Sequence, residues 1–585
     1  MGHWEIKKPE TRGHGVVVKI LSLLAFTFAL IAAAIGSAPA QRLSASHRTA
    51  LAAIERWPAG ATASARGNEP DLLLAGLDAV WQNTVDRRLI LSIESAVDLR
   101  MGTDGSHAAL SESAHQSAVA PLGSLLLRLY GVTQDRRYYQ AATQLYDQLT
   151  ASAQAPAGQL PFLAEYAATF HHAEAFAGLT EQLTKASGQG CTRALAWKLW
   201  AVADSLPFYA ADDPGRGRLL AVLAREAQIA TSTQDPSTGL WLKDAPHAAV
   251  QGKNPDLVSS GLIVYALARS VRLGYLPERD LAPVARAYKT LLGRANSLAD
   301  PQQTGAYLLA ASEMENAQNV RLGRGKTVVV DGWFNSQMHA DATGRQIYFH
   351  YKWDDQSNNG FSLLGRIIRN DGADTGTLYV APTAENLRGA QVYIVVSPDI
   401  PSKNPHPHYI QAEDGAQIAD WVRAGGVLVL LANDPANTDL DGMNRIADQF
   451  GMHFSSVLLK HVIGDQYEMG KIVVAGGGAI FRQPHTLFMK DVCSIAVTAP
   501  AVSVLSENGN NWMAVAHYGK GTVYANVDPW LYNEYTDGRK LPAEYDNYAG
   551  GAELVRWVLQ QIPRTAAIAD STRNPNSTAR STAIK

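Results

Sequence analysis

The sequence predicts two architectures in series: an all-α helical barrel of the (α/α)6 kind, then an α/β domain with a largely parallel sheet. Three observations predict this. From about residue 42 to 320 apolar residues recur at three- and four-residue spacings, the helical period. A polar turn, an Asp-Arg-Arg start and a helix recur in NTVDRRLILSIESAVDLRM and GVTQDRRYYQAATQLYDQL, with Asp86 and Asp135 in register. After RLGRGK, short β-branched runs bounded by turn residues alternate with helical segments, the pattern of a parallel sheet covered by helices.

The elements follow in order. Lys7, Lys8 and Arg12 precede the apolar run GVVVKILSLLAFTFALIAAAIG, and Ala38-Pro39-Ala40 offers the small-x-small triplet of a cleaved export signal. Residues 1–40 are therefore expected to be a signal peptide and the protein to be exported, periplasmic or secreted. Membrane association is expected only if that segment stays uncleaved, since the run is nearly long enough to span a bilayer. Segments such as DLLLAGLDAVWQNT, LGSLLLRLYGVT, PFLAEYAATF, TRALAWKLWAVADSL and SSGLIVYALARSVRLG then read as helices of one body over 41–322. A helical hairpin buries its apolar face only against its neighbours, so the repeats stack into a solenoid or close into a ring. At about 23 residues per helix and turn, this length holds about twelve helices, which suits six hairpins.

TVVVDGW, AQVYIVVSP and GGVLVLLAND supply strands of the second body, 323–563, and FSLLGRIIRNDG, DGAQIADWVRAGG and LDGMNRIADQFG its helices. A strand-rich stretch from about 470 and a closing helix, GAELVRWVLQQI, complete it. Residues 564–585 lack apolar periodicity and read as a disordered tail.

Composition narrows the function. A net charge of −3 with both signs mixed gives no electrostatic case for nucleic acid. The 2 cysteines, Cys191 and Cys493, are too few for a disulfide framework and read as free buried thiols. Nothing in the sequence fixes an oligomeric state.

The ordered series RWP, GLDAVW, LLLRLYGVTQDRRYYQAATQLYDQL, PFLAEYA, VYALARSVRLGYLP and GAYLLAASEME resembles unsaturated rhamnogalacturonyl hydrolases, glycoside hydrolase families 88 and 105. The later WDDQSNNGFS, DWVRAGGVLVL and DPWLYNEYTDGRKLPAE resemble an accessory domain that follows some of those barrels, glutamine-amidotransferase-like in outline. The resemblance implies an oligosaccharide substrate from pectin or a related polymer, no cofactor and no metal. It also implies a reaction: an Asp protonates the C4=C5 vinyl ether of a lyase-generated uronic acid, water adds, and the hemiketal opens to release the neighbouring sugar.

The residues that should carry this chemistry have diverged. Ala155 to Leu160 stand where the family's acid precedes PFLAEYA, and Ala118 stands where a second family Asp precedes LLLRLY. Of the family's Arg-Gly-x-Gly-Trp element, TRALAW keeps Arg193 and Trp197. Two carboxylates are candidate replacements, each with a structural alternative. Glu165 is one turn into its helix and serves either as an acid reaching an axial cavity or as a salt-bridge partner. Asp256 in NPDLVSS serves as an acid or as the N-cap of the helix starting near Leu257. Arg193 suits a uronate carboxylate bidentately, or a structural ion pair. Trp57, Trp81 and Trp197 either floor a sugar subsite or fill the core. His115, with Glu112, lies in the loop SESAHQS and either meets substrate or is simply solvated.

In the second body the segment after VLVLL reads ANDPAN with no cysteine near, so amidotransferase chemistry is not expected. Asp331, Trp333 and Asp355 are candidates for binding at strand ends, or loop caps. His406, His408, Asp528, Glu534 and Asp537 lack metal-ligand spacing.

Overall fold

The computed structural model describes residues 43–60, 69–101, 122–152, 154–185, 191–243, 254–317, 321–563 and 582–584. Twelve α-helices among these build the first body. They are α1 (Ala45–Arg56), α2 (Glu69–Thr84), α3 (Arg87–Asp98), α4 (Leu122–Thr133), α5 (Arg136–Thr150), α6 (Leu160–Thr169), α7 (Ala175–Thr184), α8 (Thr192–Ser205), α9 (Pro214–Thr233), α10 (Leu257–Arg272), α11 (Leu281–Gly293) and α12 (Pro301–Ala317). The even-numbered helices each pack on the next, and α12 returns to α2, so six inner helices close a ring. The hairpins thus close rather than stack.

Burial separates the two layers. The outer α3 buries one stripe, Leu89, Ile90, Ile93, Ala96 and Val97, as a helix with water on its other side must. The inner α10 is buried on every face from Ser259 to Ala268. Small residues let the inner helices approach. A Cβ on Gly305 would stand 2.2 Å from the Leu72 carbonyl oxygen, and one on Gly261 would stand 2.8 Å from the Ala306 backbone. The repeated Asp-Arg-Arg is a capping device. Asp86 accepts from the Arg88 N–H at 3.0 Å and Asp135 from the Arg137 N–H at 2.9 Å, starting α3 and α5.

The second body holds the strands β1 (Thr327–Asp331), β2 (Met338–Ala340), β3 (Gln346–Tyr348), β4 (Asp374–Leu378), β5 (Val392–Val396), β6 (Val427–Leu431) and β7 (Met452–Phe454). It continues with β8 (Lys471–Val474), β9 (His485–Phe488), β10 (Ile495–Val497), β11 (Val502–Glu507), β12 (Asn510–Tyr518), β13 (Gly521–Asn526) and β14 (Thr582–Ile584). Its helices are α13 (Ser362–Asn370), α14 (Ala412–Ala424), α15 (Leu440–Ala447), α16 (Asn533–Thr536) and α17 (Asn547–Gln561). The main sheet runs β11-β12-β13-β6-β5-β1-β4-β14. All neighbours from β13 to β14 are parallel, and only the pairs β11–β12 and β12–β13 are antiparallel, so β12 alone is reversed. β5 and β6 are buried at every position, because helices cover both sheet faces.

Two expectations change. Thr582–Ile584 pairs in parallel with β4, so part of the expected disordered tail is an edge strand; residues 564–581 and the signal-peptide region 1–40 lie outside the described residues. Cys493 is buried and free, but Cys191 is exposed, because it precedes α8 rather than lying within it. Among the described residues no helix is long and apolar enough to cross a membrane.

Candidate functional site

Inner helices of such a ring run parallel, so their N-termini gather at one end. There Arg193 is exposed in the first turn of α8, and no carboxylate among the described residues pairs with it. Trp197, one turn deeper, is buried against Trp200 with ring centroids 5.0 Å apart. The start of α10 is tied alongside: the Thr192 hydroxyl donates to the Leu242 carbonyl at 2.8 Å, and Leu242 bridges to Pro255. Asp256 then caps α10. One oxygen accepts from the Ser259 N–H at 3.0 Å and the other from the Ser259 hydroxyl at 2.7 Å. The capping alternative for Asp256 is therefore realised, and its carboxylate is committed.

The other end is closed by the second body. Trp81 Nε1 donates to the Asp537 carbonyl at 3.2 Å, the Tyr548 hydroxyl to the Gln82 carbonyl at 3.1 Å, and the Arg539 guanidinium to the Val132 carbonyl at 2.9 Å. Gly538, at φ +76°, lies so close to the ring that a Cβ there would stand 1.9 Å from the Val85 carbonyl oxygen. Between the two bodies a cavity of 1260 Å³ remains. The C-terminal ends of the inner helices form one wall, including Trp81, Arg128 and Glu165. Residues of the β2–β3 hairpin and α13 form the other.

Beneath this cavity the C-terminal halves of α8, α10 and α12 share a buried charge network. Asp204 accepts from Trp200 Nε1 at 2.6 Å and from the Tyr265 hydroxyl at 3.0 Å, and it lies 2.8 Å from Arg269 Nε. Glu313 takes Arg272 Nε and a terminal nitrogen, each at 2.7 Å, and Arg269 at 3.3 Å. Burial would raise the Glu313 pKa, but Arg272 and Arg269 outweigh it and hold the carboxyl at about 2. For Asp204 burial outweighs Arg269, so its pKa is raised. A signal for this network was present in VYALARSVRLG and GAYLLAASEME, where charges sit on helices with no polar face to hold them.

The structure thus divides the sequence candidates. Arg193, Trp197 and Asp256 share the open end. Glu165 and Trp81 line the cavity at the capped end. Trp57 follows the outer helix α1 under the Arg56 guanidinium, 4.6 Å from its ring, and Arg56 donates to the Leu298 carbonyl at 2.9 Å in the turn into α12, so Trp57 lies at the inner-helix N-terminal end of the ring. Trp81 is a buried pin between the bodies rather than an open sugar floor. His115 and Glu112 lie outside the described residues.

In the second body, Asp355 caps its own turn, accepting from the Ser357 N–H at 2.9 Å. Asp331 accepts from the Tyr393 hydroxyl at 2.7 Å and the Asn335 N–H at 2.9 Å, and burial pushes its pKa up to about 6. Trp333 stacks on His408 at 3.6 Å. Asp537 pairs with Arg539 at 2.7 Å. These are structural roles.

Comparison with known proteins bears on the helical body. Residues 164–314 match the family described as Glycosyl Hydrolase Family 88. No curated protein matches the chain. Among solved structures, a family 105 glycoside hydrolase of C. acetobutylicum ATCC 824 is similar at 20% identity, over 46% of this chain and 98% of its own, with TM-score 0.39. A family 88 glycosyl hydrolase from Bacteroides vulgatus is similar at 14% identity, over 47% and 100%, with TM-score 0.39. The mmIFT52 N-terminal domain is similar at 15% identity, over 42% and 100%, with TM-score 0.30. The matched segment holds Glu165, Arg193, Asp204, Asp256 and Glu313 together, and over it the chain is similar to family 88 glycosyl hydrolases.

Proposed function

We propose that the open end of the ring binds the terminal unsaturated uronate of lyase-generated pectic or related oligosaccharides, as an unsaturated uronyl hydrolase would, and that the family's usual catalytic Asp has been lost. The observation that carries this reading is Arg193. It is an exposed guanidinium within the family 88 match, without a carboxylate partner among the described residues. A planar fork suits a uronate carboxylate, and the gathered inner-helix N-termini add partial positive charge to the same end.

In the reaction the family resemblance implies, an acid must deliver a proton to the vinyl ether before water adds. Asp256 spends both oxygens on Ser259, and Glu165 lines the opposite end. That disposition favours a second reading, a saccharide-binding barrel that no longer catalyses. The substrate also supports the expected export: such oligosaccharides arise outside the cytoplasm, which fits a removable leader at 1–40. An accessory, amidotransferase-like origin for the second body remains part of the proposal, without amidotransferase chemistry.

Incubating the full chain with unsaturated galacturonyl-rhamnose and following the ultraviolet absorbance of the conjugated enoate tests these readings. Loss of absorbance in the parent and not in Asp256→Asn or Glu165→Gln identifies a relocated acid. No loss, with binding that Arg193→Gln abolishes, establishes the non-catalytic reading. No loss and no binding removes both.

A further inference from the structure

Two arginines that line the cavity between the bodies have no ion pair among the described residues. Arg366 and Arg369 of α13 both line it. Neither comes within ion-pair distance of a carboxylate among the described residues; each is held by neutral acceptors. Arg366 donates to Gln82 Oε1 at 2.6 Å and Asn83 Oδ1 at 3.0 Å, and Arg369 to Thr375 Oγ1 at 2.9 Å. Nearby, Arg128 lies 3.4 Å from Asp78, while Arg269 and Arg272 share Asp204 and Glu313. Over its whole lining the cavity is balanced, seven arginines against seven carboxylates, so Arg366 and Arg369 stand out by lacking an ion pair and not by a net charge. Asp354 acts on Arg369, and Glu313 on Arg366, electrostatically. Burial, with the neighbouring arginines, lowers both Arg366 and Arg369 to about 10. Enclosed guanidiniums bonded only to neutral acceptors are incompletely compensated, and a ligand carboxylate set between them would add the charge-assisted bonds they lack.

The rest of the lining says which anion. Tyr130 and Phe170 of the ring and Tyr348 and Tyr379 of the second body line the same space. Tyr348 is 40% exposed, with its ring 4.5 Å from that of Tyr379, so it offers an open face for stacking. At 1260 Å³ the cavity exceeds the roughly 300–1,000 Å³ of ordinary small-molecule pockets, leaving room for several sugar rings.

We infer that this cavity is a second ligand site, which takes an acidic oligosaccharide by gripping a carboxylate between Arg366 and Arg369 and stacking sugar rings along the tyrosine wall. It lies at the end of the ring opposite Arg193 and does not rest on the open-end reading. A guanidinium fork also suits phosphate, so the test must separate an acidic sugar from a bare anion.

Titration calorimetry on the full chain does so, with trigalacturonate, inorganic phosphate and the neutral maltotriose as probes. The expected result is a trigalacturonate site that survives Arg193→Gln. Arg369→Gln should weaken it at least about tenfold, the worth of one charge-assisted contact. Tyr348→Ser should weaken it about threefold, the loss of one stacked face. Phosphate should bind more weakly and ignore Tyr348→Ser, and maltotriose should give no heat. Trigalacturonate affinity unchanged in Arg369→Gln and Tyr348→Ser overturns the inference. So does a site lost wholly in Arg193→Gln, or phosphate binding as tightly as trigalacturonate. Should Arg369→Gln fail to fold, Tyr348→Ser decides alone, because that side chain is exposed. Loss of the Arg193 effect with the Arg369 effect intact would sink the open-end reading and leave this one standing.

Discussion

At one end of the ring Arg193 stands in water beside a helix start that Asp256 has capped. At the other, arginines and carboxylates in equal number line a partly enclosed space that the second body closes. The same inner helices supply both ends, so the difference comes from what covers them. An exposed guanidinium keeps its hydration and costs the fold little. Enclosed ones need partners: the ring supplies Asp204 and Glu313 for Arg269 and Arg272, Asp78 for Arg128 and amides for Arg366, and the second body supplies the Thr375 hydroxyl for Arg369. Stability is therefore expected to depend on the capped end and recognition of uronate on the open end, with the cavity as the place where the two demands meet.

The largest expected effect comes from Glu313→Ala. It leaves Arg269 and Arg272 enclosed without their shared carboxylate, and should cost about 3–5 kcal/mol, read by chemical denaturation. The same group sets a pH dependence. Its folded pKa, about 2, lies below its ordinary 4.5, so its contribution is complete above about pH 4.5 and fades as pH falls through about 2. That contribution is about 3 kcal/mol, and the acid limb of the stability profile should shrink in Glu313→Gln. A parent-like acid limb in that variant would show that the network is not what holds the capped end.

Next in size is Gly538→Ala. The residue has positive φ and no room for a Cβ beside Val85, so the substitution should cost about 2 kcal/mol. Because the contact joins the two bodies, limited proteolysis should find the start of the second body, residues 321–326, more exposed, while the ring's own melting changes less. Uniform loss across both bodies would mean that they unfold as one unit and that the two ends are not energetically separable.

Much of this comparison was legible in the sequence. The helical period gave the helices and the length suited six hairpins, with closure or stacking left open; the repeated Asp-Arg-Arg marked the starts of α3 and α5, and β-branched runs marked the buried strands. The capped end was not. Glu313, Arg269 and Arg272 sit on helices that look uniformly apolar at low resolution of pattern, and their partners come from neighbouring inner helices brought together only when the ring closes. Arg366 reads as a surface residue of FSLLGRIIRNDG until Gln82 and Asn83, nearly three hundred residues away in sequence, are laid against it. The split between Glu165 and Asp256 was likewise invisible, because distance along a ring axis leaves no mark in local spacing. β14 was missed because three residues are too few to show alternation.

The smallest expected effects test the open end. Asp256→Ala removes the cap of α10 and should cost about 1 kcal/mol, whereas Asp256→Asn keeps an acceptor for the Ser259 N–H and should cost only a few tenths. Arg193→Gln, at an exposed first-turn position, should leave stability within about 0.5 kcal/mol of the parent. Its effect should appear instead in uronate binding, as a loss of about tenfold or more, because one bidentate charge-assisted contact is removed. The contrast with Glu313→Ala is the point of the measurement: an arginine that serves a ligand should leave the fold unchanged when lost, and a carboxylate that serves arginines should not. If Arg193→Gln destabilises the chain by more than about 1 kcal/mol, then Arg193 has a structural partner. The two ends would then differ only in degree.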